Sequence, residues 1–379
     1  MRTFLPIRPY LRYKQAKTLI RNLLYICTIT CLALSSCQLE SKSNIESDVN
    51  KSTVTLNSFS SQGFRASQEE GLLKIEYRIR NELKEIEIDL VENPINRFVL
   101  SSTTQIHYFK EIGQLDKVVG CAWLDDIDDA LIEQSKSNGV IQNVTVGAEL
   151  DLESILDCRP DVVLYDPRES SLVQRLESLG IICIPFLEYA EKDALSRVSW
   201  LHLIGLLTGK PKTSLMRYGE ISNNYMNQRL LPNEEDNSRD KVILMSYYNG
   251  IWSASGPKSL MAELVNDAGG EYVLDGDATA SVDLDVEELL TLISKIDFLG
   301  VIQYGEINEQ IIAKWDDRIS VEILDSISIF SVDTKNDDYF GQGILQPDIM
   351  LADLKAILKQ DSSFHYTYFK PLKGDIKMN

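Results

Sequence analysis

Asp151-Leu152-Glu153-Ser154-Ile155-Leu156 leads into Pro160-Asp161-Val162-Val163-Leu164-Tyr165. Further along, at an offset of 134 residues, Asp285-Val286-Glu287-Glu288-Leu289-Leu290 leads into Ile296-Asp297-Phe298-Leu299. Each copy opens on acidic residues, which the positive end of a helix dipole favours, and runs through a helix into an apolar strand. One unit found twice predicts two equivalent α/β lobes.

The flanking sequence extends both lobes. Phe98-Val99-Leu100, Lys117–Ala122, Asp161–Tyr165 and Ile181–Ile184 are short β-branched runs separated by helix-period segments. Lys241–Met245, Glu271–Leu274, Phe298–Ile302 and Ile327–Phe330 repeat the scheme. Continuous apolar runs suit strands covered on both faces, and strands spaced by helices suggest parallel βα units. Between the halves, Val198, Leu201, Ile204, Leu207, Leu215, Ile221 and Tyr225 recur at helical spacing, interrupted at Gly209-Lys210-Pro211. The expected fold is therefore α/β: two lobes of parallel βα units joined by a long, rigid connecting helix. Residues 95–190 form the N-terminal lobe, 191–231 the connector and 232–379 the C-terminal lobe. Upstream, Leu72–Tyr77 and Ile86–Leu90 alternate like a β-hairpin ahead of the main fold.

The first 36 residues carry six basic side chains and no acid, then an apolar run from Leu23 to Leu34. A basic opening, a short apolar stretch and small residues make a secretory signal. The run is too short to cross ~30 Å of hydrocarbon, which takes about 20 residues. Leu34-Ser35-Ser36-Cys37 resembles the bacterial lipobox, which implies cleavage before a diacylated Cys37. Residues 1–36 are then a lipoprotein signal peptide, and 37–94 a tether plus N-terminal β extension. The expected location is periplasmic, with the lipid of Cys37 anchoring the chain to a bacterial membrane.

The chain has 379 residues and a formal charge of −19, and beyond the signal 32 basic residues face 57 acidic ones. A body this acidic repels phosphate backbones, which argues against nucleic-acid binding. Cys121, Cys158 and Cys183 remain after Cys27 and Cys31 leave with the signal. No pair has metal-ligand spacing; one disulfide is allowed, and buried free thiols are the simpler reading.

No nucleophile elbow or His-Glu-x-x-His helix is present. Gly205–Lys210 has three residues between its glycines where a phosphate loop needs four, and reads as a helix end. Only His107, His202 and His365 exist, so the sequence offers no clear metal site and no resident cofactor. A metal-binding protein would require His107 and acids to converge; Asp125-Asp126 and Asp128-Asp129 read as a solvated face. What the loops after the strands offer is hydroxyls and aromatics: Ser102, Thr103, Thr104, Trp123, Tyr165, Arg168 and Tyr189 in the first lobe, and Tyr247, Tyr248, Trp252 and Tyr304 in the second. Ligands of open α/β sheets bind outside the carboxyl ends of the strands, so these residues predict an aromatic-lined cleft.

Several segments resemble the class III solute-binding proteins of ABC importers for ferric siderophores, haem and cobalamin, over about residues 95–372. Arg97–Thr104 followed by Gly113–Gly120 is similar to the family's opening strand and "G-x-L-D-x-I-V-G" ending. Asp151–Val163 is similar to its "N-x-E-x-I-L-x-L-K-P-D-L-V" segment. Ser259–Ala262 with Asp267–Tyr272 resembles "S-x-x-x-x-L-x-x-D-A-G-G-x-Y", and Asn336–Phe340 with Gln346–Leu354 resembles the C-terminal "N-D-Y-W-E … P-D-x-V-L-x-D-L". The chain departs at Gln105, where relatives often carry His, and at Ser199, where "L-G-R-A-E-W" has Glu.

The resemblance implies a non-enzymatic, monomeric, lipid-anchored binding protein. It would capture an iron complex (ferric siderophore or haem) or cobalamin between the lobes and deliver it to the importer's permease subunits. It further implies that Glu153 and Glu287, one on each lobe, dock to permease arginines; oppositely charged partners steer such encounters. Of the loop residues, all but Tyr165 are candidate ligand contacts. An exported hydrolase or carbohydrate-processing enzyme on the same scaffold is the alternative, and would show a carboxylate pair converging in the cleft.

Overall fold

The computed structural model describes residues 54–55, 63–79, 82–230 and 239–372. The expected signal peptide, Cys37 and the polar run 232–238 lie outside them.

The chain enters through an antiparallel sheet of Val54–Thr55, Phe64–Glu69, Leu72–Ile79 and Glu82–Asp89, with strands paired in sequence order. The expected hairpin is thus half of a larger sheet. Alternation along Leu72–Ile79 buries Leu73, Ile75 and Tyr77 while Lys74 and Arg78 face solvent, the pattern of a sheet with one covered face. The covered face joins the core of the first lobe, and the Phe64 ring packs 4.6 Å from that of Trp200.

The first lobe holds a five-stranded, wholly parallel sheet ordered Ile182–Pro185, Val162–Tyr165, Phe98–Leu100, Val118–Cys121, Gln142–Asn143. Its three central strands are buried along their whole length, as the continuous apolar runs require.

The second lobe departs from the expected all-parallel arrangement. Lys241–Tyr248, Phe298–Gln303 and Ser328–Asp333 are parallel, and Glu271–Tyr272 pairs in parallel with the first of them. Ile251–Ala254 runs antiparallel to the first of them, Val282–Leu284 pairs antiparallel with Ile251–Ala254, and Lys370–Pro371 pairs antiparallel with Ser328–Asp333. For Ile251–Ala254 the cause is local. Asn249 (φ 50°) and Gly250 (φ 86°) form a two-residue turn with both residues left-handed, which folds the chain straight back as a hairpin.

The connector is three helices: Ala194–Val198, Leu201–Leu207 and Pro211–Gln228. Gly209, at φ 72°, ends the second and Pro211 opens the third, so Gly205–Lys210 is a helix boundary, as read from the sequence. One face of the long third helix ties the lobes together. Tyr218 and Ile221 belong to the first lobe's core and Tyr225 to the second's. The Tyr225 hydroxyl donates to buried Asp267 at 2.6 Å, and Arg229 Nε donates to the same carboxylate at 2.7 Å. A helix shared by two cores bends only by disturbing both, which restricts lobe motion to small displacements.

Candidate functional site

The duplicated unit recurs in detail. Asp151 caps Leu152–Asp157 by accepting from Ser154 N (2.8 Å), and Asp285 caps Val286–Ile293 by accepting from Glu288 N (2.8 Å), with Glu288 reaching back to Asp285 N (3.0 Å). The next aspartates also match: Asp161 accepts from Asn96 N and Arg97 N, and Asp297 from Lys241 N (2.8 Å). Glu153 and Glu287 therefore sit at equivalent first turns. Glu153 is exposed; Glu287 is exposed too, but paired with Arg318 at 3.0 Å.

A cleft of about 760 Å³ opens where the ends of the second lobe's strands meet the start of the connector. That volume suits a large organic ligand. Tyr247, Tyr248, Tyr304 and Phe340 form much of its aromatic wall, with Ser246, Ser253, Ser255 and Ser259 supplying hydroxyls. Tyr189, Glu191 and Arg197 close it from the first lobe and the connector. Tyr247 stacks on Trp315 (5.0 Å between centroids, 7° between planes), and its hydroxyl donates to Trp315 O at 2.8 Å. It is a fixed platform, whereas Tyr248 and Tyr304 are 76% and 71% exposed and free to meet a ligand.

Arg197 is the cation of this cleft. Its guanidinium lies 3.8 Å from Glu188, whose carboxylate also accepts from the Thr104 hydroxyl at 2.8 Å. Its Nε is buried with no hydrogen-bond partner. Burial pushes the Glu188 carboxyl above the usual range, with Arg197 and Thr104 pulling it back down. Glu191 accepts from Trp200 Nε1 at 2.8 Å. Both carboxylates near the cleft are thus engaged in holding the connector's first turns.

Four of the ten residues expected to contact ligand line this cleft: Tyr189, Tyr247, Tyr248 and Tyr304. The other six do not. Ser102 caps the helix Thr103–Glu111, and Thr104 is committed to Glu188. Thr103 lines a separate small pocket. Trp123, in the left-handed region at φ 48°, packs partly buried against the first lobe's core. Arg168 forms a bidentate pair with Asp166 beside the Tyr189 ring. Trp252 is 3% exposed, packed 5.4 Å from Trp315, inside the second lobe.

Arg197 and Phe340, which the sequence reading did not single out, also line the cleft. Arg197 stands in the connector's first helix, and Phe340 ends the Asn336–Phe340 segment. At the two departures from the family pattern, Gln105 Oε1 accepts from Ser101 N at 3.0 Å and Ser199 Oγ donates to Ser196 O at 2.7 Å. Both side chains serve the backbone. Cys121, Cys158 and Cys183 are buried free thiols, with Cys121 and Cys183 each pushed up to about 12 by burial. Among the described residues, no group of His, Cys, Asp and Glu is arranged to hold a metal ion, and no helix is long and apolar enough to cross a membrane.

A family model described as periplasmic binding protein matches residues 99–308. An uncharacterized lipoprotein of Methanocaldococcus jannaschii is 21% identical over 290 residues, spanning 72% of this chain and 67% of the relative. A periplasmic binding protein from Veillonella parvula shares the fold with a TM-score of 0.58 at 13% identity, covering 75% of this chain and 97% of that one. A periplasmic heme-binding protein from Pseudomonas aeruginosa gives 0.54 at 15% identity (73% and 98%). The siderophore-binding protein BauB, bound to two molecules of acinetobactin and ferric iron, gives 0.55 at 15% identity (75% and 98%). At these identities the likeness is one of fold.

Proposed function

The chain belongs to the periplasmic binding protein family, substrate-binding proteins of ABC transporters and not enzymes, and from that premise we propose that it captures an iron complex in the aromatic cleft and hands it to a permease. The cleft itself carries the reading. A fixed Tyr247–Trp315 stack, exposed Tyr248 and Tyr304, and a single cation with an unpartnered N–H suit a large, planar or partly apolar ligand bearing acceptor oxygens. Structural relatives that bind haem or a ferric siderophore support iron complexes as the cargo class; cobalamin is a further member of the panel to be tested. The iron arrives and leaves with the cargo.

Glu153 and Glu287 are the proposed permease contacts, at matching points of the duplicated unit. Acylation at Cys37 would hold the protein, as a monomer, at a bacterial membrane facing the periplasm. A lipoprotein relative supports the lipid anchor. The proposed divisions remain 1–36 for the signal, 37–94 for tether and β extension, 95–190 and 232–379 for the lobes and 191–231 for the connector. The hydrolase alternative is set aside by the family. In addition, the cleft carboxylate Glu191 and its neighbour Glu188 are bonded to Trp200 and to Thr104 and Arg197.

The test is a tryptophan-fluorescence titration with haem, cobalamin, a ferric catecholate and a ferric hydroxamate. Trp315 lies directly against Tyr247, so cargo on that platform quenches it. Saturable micromolar or tighter binding of one iron complex is expected; saturation by none of the iron complexes would remove the cargo assignment.

A further inference from the structure

A second pocket, about 90 Å³, opens on the seam between the lobes next to the main cleft. Thr334 and Phe340 line both, so the two spaces share a wall. Its chemistry differs from that of the cleft. Asp126 and Asp128 approach from the first lobe and Asp338 from the second. Lys335 also lines the pocket, over the Tyr304 ring at 5.7 Å, so its lining sets three carboxylates against one ammonium, and the nearby Lys110 pairs with Asp129. The inner wall is His107, 1% exposed, whose Nδ1 has no hydrogen-bond partner.

These carboxylates do not converge as a metal site would require. The space holds about three water molecules at ~30 Å³ each, or a terminal methylene and its ammonium. We propose that this pocket receives a primary ammonium arm of the cargo, hydrogen-bonded by Asp126, Asp128 or Asp338 and facing the His107 imidazole. The inference rests on the cleft reading for where the rest of the cargo lies. Burial and the nearby Lys110 bring the His107 pKa down to about 4, so the ring is neutral and offers an acceptor nitrogen to an N–H donor. Burial, with the neighbouring Asp129 and Asp128, raises the Asp338 carboxyl, against the Gln342 backbone N–H and the pull of Lys110.

The first arm of the test is independent of iron. With three histidines in the chain, imidazole NMR signals are few, and His107 is assigned by its loss in His107→Gln. Ethylammonium chloride should move the His107 signal saturably in the millimolar range, while ethanol and sodium chloride should not. Asp126→Asn with Asp128→Asn, both on exposed residues, should weaken that response about five-fold or more. No response to ethylammonium, or an equal response to sodium chloride, overturns the proposal. The second arm compares a ferric trihydroxamate carrying a free terminal ammonium with its N-acetyl derivative. The ammonium form should bind about ten-fold more tightly, and the double Asn variant should erase the difference. Equal affinities overturn the ammonium arm. If neither chelate binds while ethylammonium still moves His107, the small pocket stands as an ammonium site and the cargo assigned to the large cleft falls.

Discussion

The two lobes share a repeating unit, capped and braced by aspartates at matching positions, yet they use their strand ends in different ways. In the first lobe most of the loop side chains are engaged within the lobe: Ser102 caps a helix, Thr104 holds Glu188 and exposed Arg168 pairs with Asp166, while Tyr189 reaches the cleft. In the second, Tyr247, Tyr248 and Tyr304 stand along the cleft. The difference follows the sheets. The all-parallel first sheet ends in short loops consumed by helix starts. The Asn249-Gly250 hairpin lengthens the central strand of the second sheet and carries Tyr247 and Tyr248 beyond the pairing partners of its neighbour. The repeated unit supplies a scaffold, and the antiparallel hairpin extends the strand that brings Tyr247 and Tyr248 to the cleft.

Removing the aromatic wall should produce the largest effect. Tyr247→Ala with Tyr304→Ala should weaken cargo binding by at least ten-fold, since a truncated aromatic contact at a buried interface costs about 2 kcal/mol or more. Ser102→Ala in the first lobe should leave affinity within two-fold while costing about 1 kcal/mol of stability through the lost cap. Titration and thermal melts on both variants check this. Comparable losses of affinity would mean that both lobes bind cargo.

Acid should separate the lobes next. His107, on the first lobe, and His202, in the connector and packed on Tyr218, are both brought down to about 4 by burial. The unfolded chain takes up their protons near pH 6.5 and the folded chain does not until about 4. Stability contributed by the neutral rings therefore falls as pH drops through that window, by on the order of 2–3 kcal/mol per histidine. Glu263, half-buried on the second lobe, acts in the opposite sense. Burial, Asp193 and Asp267 raise it to about 7, so it is protonated earlier in the folded state and gains stability as pH falls from 7 to about 4.5. Raised Glu188 offsets part of the first lobe's loss. Hydrogen exchange at pH 7 and pH 5, corrected for intrinsic rates, should show residues 98–185 losing protection relative to 241–333. Equal changes would show that the two lobes unfold as one unit.

The carboxylates proposed to dock the permease offer a subtler comparison. Glu153→Arg with Glu287→Arg should abolish uptake in cells while cargo affinity stays intact. Arg318→Ala, by releasing Glu287, should change permease affinity by less than about five-fold, since an exposed pair is worth roughly 0–1 kcal/mol. The caps act on stability alone. Asp151→Ala and Asp285→Ala should each cost about 1 kcal/mol, with the reciprocal Glu288 bond making the second slightly larger.

Much of the scaffold was legible in the sequence because burial on both faces writes itself as unbroken apolar runs. Phe98–Leu100, Val162–Tyr165 and Phe298–Gln303 were all visible that way. The hairpin was missed although Asn249-Gly250 is a strong turn signal, because strand spacing alone suggested continued parallel units. Site residues were less legible. A strand-end aromatic reads the same whether it faces a cleft or a core, and only three-dimensional packing put Trp252 beneath Trp315 and Tyr304 in the open. Arg197 could have been found by asking which cation a helical connector places at the mouth between two lobes.

The most direct test of the account is the position of the iron. Crystals grown with the tightest-binding ferric complex, measured at the iron absorption edge, should show one anomalous peak in the cleft between Arg197 and the Tyr247–Tyr304 wall. An iron peak elsewhere on the molecule, with that cleft empty, would contradict it.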